Sequence, residues 1–197
     1  FGEENKVHAI LTIADKVKAT SAEAVKALQN MGIEVHMFTG DNAHTAAAVA
    51  REVGIQSFRA EALPDDKQAF VAKLQMEGKV VAMVGDGIND SQALAQADLG
   101  IAMGKGSDIA MDVAKMTLIS SDLLQIPKAL KLSGKTVMAI RQNLFWAFIY
   151  NLIGIPVAAG LLYPVNGFLL NPMIAGAAMA LSSVSVVANS LRLKWSK

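Results

Sequence analysis

The chain has 197 residues, a formal net charge of +1, no cysteine, and 53% hydrophobic against 18% charged residues. With no basic stripe and almost no net charge, a nucleic-acid partner is not expected; without cysteine, neither a disulfide framework nor a thiolate metal site can form within this chain. The hydrophobic excess is uneven, because Leu144 to Leu191 contains no Asp, Glu, Lys or Arg.

In chain order, Val7–Ile13 reads as a strand. Thr20-Ser21-Ala22-Glu23 has the form of a capping box, and a helix is predicted from there to about Met31, stopped by Gly32. Glu34–Phe38 is a second strand, and Ala43–Val53 a second helix ended by Gly54. Gln56–Ala60 is a short third strand, and Pro64 opens a helix to about Glu77, closed by Gly78. Lys79–Val84 is a buried strand, followed by a short helix over Asp90–Gln96. Two more strands, Leu99–Ala102 and Met116–Ile119, flank a helix near Asp108–Ala114. Strands alternating with helices predict an α/β layer, a doubly wound parallel sheet. In such sheets chemistry gathers just past the C-terminal ends of the strands.

Beyond Asp122 the pattern changes. Leu123–Asn143 is helical with spaced Lys128, Lys131, Lys135 and Arg141, like a stalk. Leu144–Leu162 is uncharged and of the length a membrane span takes, roughly 20 residues. Residues 163–167 form a turn, and Phe168–Leu191 is a second span followed by Arg192, Lys194 and Lys197. Basic flanks on both sides predict a multi-pass integral membrane protein with both ends of the chain cytoplasmic. A buried helical hairpin in a soluble protein is the alternative. The opening Phe-Gly-Glu-Glu-Asn, with neither Met nor a signal peptide, is read as an internal starting point.

Three loops after predicted strands carry phosphate chemistry. Gly85-Asp86-Gly87-Ile88-Asn89-Asp90 combines glycines, which let backbone approach a ligand, with two carboxylates able to hold a hard cation such as Mg²⁺. The plainer reading is a turn with solvated acids and Asp90 as a helix cap. In Thr39-Gly40-Asp41, the hydroxyl and nearby N–H groups can hold a phosphoryl oxygen at a helix N-terminus, with Asp41 read chiefly as the cap of the next helix. Lys67 lies at a helix start, where the macrodipole disfavours a cation, which hints at an anion partner. His8, His36 and His44 fit no zinc spacing.

Together these residues resemble the haloacid-dehalogenase-like core of P-type ATPases. Thr39-Gly40-Asp41-Asn42 is similar to that family's TGDN motif, Gly85–Leu94 (GDGINDSQAL) to its GDGxNDxxAL motif, and Pro64–Lys67 to its PxxK element. Asp15 sits where the family has an aspartate in the hinge to the nucleotide domain. Ser91-Gln92 replace the common Ala-Pro. The resemblance implies that Asp86 ligates Mg²⁺ with Asn89 and Asp90 organising the site, and that Thr39 and Lys67 hold the transferred phosphoryl group. It also implies ATP bound mainly by a domain outside this chain. The family's phosphorylated aspartate lies in a DKTGT motif, and no DKTG occurs here, so this stretch alone is expected to be inactive.

The apolar part carries the spacings NxxxxxxYNxxxxP (Asn143, Tyr150, Asn151, Pro156) and PxxxxxxMxxSSxxxxxN (Pro172, Met179, Ser182, Ser183, Asn189). These resemble the last two membrane helices of copper-class heavy-metal P-type ATPases. By resemblance, Met179 is a Cu⁺ ligand, with Tyr150, Asn151 and Ser183 completing the site. A thioether suits soft Cu⁺, and no carboxylate is present for a hard ion. Helix packing is the bland alternative, preferred for Ser182, Ser185 and Ser190.

The expected organisation is therefore an incomplete haloacid-dehalogenase-like phosphorylation domain (1–121) and a stalk helix (122–143). A transmembrane helix (144–163), an external turn (164–167), a second transmembrane helix (168–191) and a cytoplasmic tail (192–197) follow. The expected function is ATP-driven movement of monovalent copper through an aspartyl-phosphate. The expected partners are the remaining pump domains, the transported ion, the lipid bilayer and a soluble copper chaperone. A divalent heavy-metal pump or a membrane-anchored haloacid-dehalogenase-like phosphatase is the alternative.

Overall fold

The computed structural model describes residues 2–3, 6–7, 16–104, 108–167 and 171–195. It divides into two compact units, residues 1–128 and 129–197.

In the first unit the expected alternation of strands and helices is present. Gly2–Glu3 (β1) pairs antiparallel with Lys6–Val7 (β2); the rest of the predicted strand Val7–Ile13 lies outside the described residues, as do Asp15 and His8. Then come α1 (Ser21–Gln29), β3 (His36–Phe38), α2 (Ala43–Val53), β4 (Ser57–Arg59) and α3 (Pro64–Met76). The unit continues with β5 (Ala82–Gly85), α4 (Ser91–Gln96), β6 (Leu99–Met103), α5 (Asp108–Val113) and β7 (Met116–Leu118). All β3–β7 pairings are parallel: β3 with β4, and β5–β6–β7 in that order. Each parallel neighbour is reached through a helix, as a parallel ladder requires.

Local chemistry explains the helix ends. The Asn42 side chain caps α2 by accepting from Thr45 N at 2.9 Å, and Gly54 closes it at φ 78°, a left-handed conformation natural to glycine. Pro64 starts α3, and Asp66 Oδ2 accepts from Leu63 N at 3.0 Å. The capping box expected at Thr20 does not form. Its side chain makes no cap bond to α1; instead the hydroxyl donates to Asp122 Oδ1 at 2.7 Å, more than a hundred residues away.

The core is built from small residues. Val71, Ala93 and Ala97 are buried together, with Val81 and Met83 packed on them, and Leu94 and Ile101 are fully buried. A β-carbon at Gly100 would stand 2.5 Å from the Leu94 carbonyl oxygen, so glycine is what lets α4 lie this close to β6. Gln75 and Gln96 exchange hydrogen bonds of 2.8 and 3.0 Å, tying α3 to α4.

In the second unit, the predicted stalk and first span merge into one helix, α6 (Gln125–Ala158), which runs through Gly154 and Pro156. The predicted turn contains a short helix, α7 (Tyr163–Asn166), and α8 runs over Pro172–Trp195. The expectation of a multi-pass membrane protein is corrected here: among the described residues, no helix is long and apolar enough to cross a membrane. In α6 the first half carries Lys128, Lys131, Lys135 and Arg141. Its uncharged remainder, Leu144 to Ala158, is about 15 residues, or about 22 Å at 1.5 Å per residue, against a hydrocarbon core of about 30 Å. The uncharged run in the sequence continues past Ala158, but the helix does not. Residues 168–170, where the second span was expected to begin, lie outside the described residues.

Candidate functional site

β5 ends at Gly85, and the chain turns through Asp86 and Gly87 into a single 3₁₀ turn, Ile88–Asp90, before α4. The turn is tight enough that a β-carbon on Gly85 would come within 2.6 Å of Asp90 Oδ2. Asp90 stands at the N-cap position of α4 but makes no cap bond. Its carboxylate instead receives the Lys67 ammonium from the first turn of α3 at 2.7 Å. Only 16% and 14% of these two side chains are exposed. The anion partner expected of Lys67 is thus an internal carboxylate.

The loop after β3 is joined to the same helix. The Thr39 hydroxyl donates to Asp41 Oδ2 at 2.7 Å and accepts from Asp41 N at 3.1 Å. Asp41 is therefore not the cap of α2; Asn42 is. Ala62 N donates to Thr39 O at 3.0 Å and Glu61 N to Asp41 O at 2.9 Å. These bonds fix the loop against the residues that lead into Pro64 and Lys67. Phe38 packs on Phe70 of α3, ring centroids 4.8 Å apart. The path from Thr39 to Asp90 therefore runs through α3.

Asp86 and Asp90 line a cavity of about 480 Å³ together with Lys18, Val84, Gly85, Met103, Gly104, Ser121 and Leu123. Asp86 and Asn89 are exposed and Asp90 is half-buried. The carboxylates of Asp86 and Asp90 are hard oxygen donors on one wall, the set that suits Mg²⁺, which takes one or two carboxylates and keeps waters or phosphate for its other positions. Among the described residues, no group of three or more His, Cys, Asp or Glu could hold a metal on protein ligands alone. His36 is held by Ser57 and Glu34 in the sheet.

Lys18, Ser121 and Asp122 were missed in the sequence reading. Lys18 Nζ donates to Ser121 O at 2.8 Å, beside the Thr20–Asp122 bond, so the start of α1 and the approach to α6 close the far side of the cavity. The Thr20 hydroxyl, and then Leu124 N–H, hold the Asp122 carboxyl below its ordinary range. No local pattern points to contacts across a hundred residues.

Of the second-unit candidates, Asn151 Nδ2 donates to Ala147 O of its own helix at 2.8 Å. The Tyr150 ring lies 6.4 Å from that of Trp146. Ser183 lies on α8 beside Val184 and Val187. Met179 is in α8, and its side chain lies outside the described residues.

The haloacid dehalogenase-like hydrolase family matches residues 2–98. The chain is 59% identical over 191 residues, 97% of its length, to a probable copper-transporting ATPase, PacS, of Synechococcus elongatus. It is 58% identical over 94% of its length to a silver exporting P-type ATPase of Salmonella typhimurium. Over most of its length the chain is similar in sequence to heavy-metal P-type ATPases. A zinc-transporting PIB-type ATPase in its E2·Pi state superposes on 91% of this chain with a TM-score of 0.78 at 36% identity. The chain spans about a quarter of the length of these relatives: 26% of the Synechococcus protein, 22% of the Salmonella protein and 28% of the zinc transporter. The haloacid-dehalogenase-like α/β core expected from the TGDN-like and GDGxND-like loops is thus present.

Proposed function

We propose that this chain handles the phosphoryl group and its magnesium ion in an ATP-driven transporter of monovalent copper. The observation that carries the phosphoryl reading is the Lys67–Asp90 pair at 2.7 Å, whose carboxylate lines the same cavity as Gly85 and Asp86. Phosphoryl transfer asks mainly for positioning and charge neutralisation. Lys67 brings a cation to the site, Asp90 holds it in place, and the Thr39 hydroxyl, which donates to Asp41 in this structure, would have to turn from it to donate to a phosphoryl oxygen. Asp86 and Asp90 would hold Mg²⁺, with Asn89 beside them, and the ion would neutralise charge on the transferred group. The nucleophilic aspartate and most of the ATP contacts come from outside these 197 residues, since no Asp-Lys-Thr-Gly occurs in them.

Copper as the cargo is supported by the donor set. Tyr150 and Asn151 on α6 and Met179 and Ser183 on α8 include a soft thioether and no carboxylate, which suits a soft monovalent ion. Relatives named for copper or silver are 52–59% identical to this chain, whereas the zinc-transporting structure is 36% identical. The remaining domains of the same transporter, and a copper chaperone delivering the ion, are the partners this reading implies.

The test is metal-stimulated ATP hydrolysis by the complete gene product, comparing Cu⁺ with Zn²⁺, with and without Met179→Leu. Stimulation by Cu⁺, lost in the variant, supports the reading. Stimulation by Zn²⁺ alone keeps the ATPase and overturns the cargo. Metal-independent hydrolysis of small phosphates favours a phosphatase.

A further inference from the structure

Two asparagines at the edges of the apolar spacings, Asn143 and Asn189, have no part in the function proposed above. Asn189 Nδ2 of α8 donates to Asn143 Oδ1 of α6 at 2.8 Å and to Ala139 O at 3.5 Å. Asn143 Nδ2 donates in turn to Ser190 Oγ at 3.0 Å, and Arg192 donates to Gln142 Oε1 at 3.1 Å. Asn189 is partly buried in this arrangement. These side-chain bonds join α6 to α8. An amide that both gives and receives fixes its neighbours in one register, because sliding either helix by a residue breaks every bond at once.

That register has a consequence two turns away. Gln142 and Asn143 face Arg192 and Ser190, so α6 and α8 run antiparallel and a step forward on one is a step back on the other. Tyr150 lies seven residues on from Asn143, and Ser183 seven residues back from Ser190. At 1.5 Å per residue each stands about 10 Å from the bonded asparagines, at one level. Asn151 stands level with Ser182, and Met179 one turn beyond Ser183 on the same face of α8. A slip of one residue shifts a helix by about 1.5 Å and rotates it by about 100°, which takes its candidate donors out of that alignment.

We propose that Asn143 and Asn189 are positioning residues, a register clamp that holds Tyr150 and Asn151 of α6 level with Ser183 and Ser182 of α8, one turn from Met179. This role rests on the copper reading given above. The clamp touches no ion; it acts through the alignment of the two helices.

The 197-residue chain has no cysteine, so an engineered pair reports alone. Ala147→Cys with Val186→Cys lies one turn from the clamp on each helix, and its disulfide yield measures register. Cu⁺ affinity is measured separately, without the engineered cysteines, by competition with a chromophoric Cu⁺ chelator. Asn189→Leu is expected to cut the disulfide yield at least fivefold and Cu⁺ affinity at least tenfold, and Asn143→Leu to do the same. Asn143→Asp keeps the acceptor for Asn189 and lets the Ser190 hydroxyl turn to donate, so it is expected to retain both. Ser185→Ala, which removes only a bond within α8, is expected to change neither. An unchanged disulfide yield in both leucine variants overturns the clamp. A lower yield with unchanged Cu⁺ affinity overturns its positioning role. If the unaltered chain shows no Cu⁺ binding that Met179→Leu weakens, the copper reading itself falls and the positioning role with it, whatever the disulfide yields.

Discussion

The Lys67 ammonium meets the Asp90 carboxylate at 2.7 Å, and this contact ties the first turn of α3 to the loop that follows β5. Both side chains are mostly buried, so each charge depends largely on the other. Removing one partner of a buried pair costs about 3–5 kcal/mol, because it strands the other; with some exposure remaining, about 2 kcal/mol is expected for Lys67→Met. Urea unfolding of the chain measures it. A second change, Asp90→Asn, should recover part of the loss, whereas ATP hydrolysis by the complete gene product should stay low in both.

Gly85→Ala and Gly100→Ala separate site geometry from core packing. At Gly85 the new β-carbon meets the Asp90 side chain at 2.6–2.8 Å; at Gly100 it meets the Leu94 carbonyl at 2.5 Å. Overpacking of this kind costs about 1–3 kcal/mol, and both variants should unfold at lower urea. Gly85→Ala should also lower turnover per folded molecule at least tenfold, since Asp90 must swing away from Lys67. Gly100→Ala, which displaces α4 from β6, should leave turnover per folded molecule within about twofold.

Asn42 holds the start of α2 directly after Thr39-Gly40-Asp41. Asn42→Ala removes the bond to Thr45 N and should cost about 1 kcal/mol, the usual value of a helix cap, read as a lower thermal midpoint. Asn42→Asp, which keeps the acceptor, should restore it.

The Asp122 carboxyl is held below its ordinary range by the Thr20 hydroxyl first and by Leu124 N–H second. A group whose folded pKa is depressed adds stability above its unfolded pKa, about 3.9 for aspartate, and that stability disappears as pH falls through the folded value. Stability should therefore fall below about pH 4, and Asp122→Asn should flatten that part of the profile. Asp98, depressed by Val81 N–H and then by Gln75, has the same sign and should persist in the variant. Denaturant unfolding from pH 6 to pH 2.5 tests both.

Much of this was legible in the residues. Pro64, Gly54 and Gly78 punctuate helices where the sequence says they do, and the strands ending at Phe38 and Gly85 lead into the two loops that carry Thr39, Asp86 and Asp90. Other readings failed for a common reason. Thr20 had the spacing of a cap and Asp90 the position of one, yet each side chain took a distant partner, Asp122 and Lys67. The uncharged stretch from Leu144 to Leu191 was plain, but not that α6 would stop at Ala158. What the sequence alone determined is the order of the elements and the chemistry each loop can offer, because helix caps, breakers and hydrophobic period act within a few residues. Only the tertiary structure decided which polar groups meet: Lys67 with Asp90, Thr20 with Asp122, Asn143 with Asn189. A side chain able to make several hydrogen bonds takes the partner that folding brings within 3 Å, and that depends on segments up to a hundred residues apart.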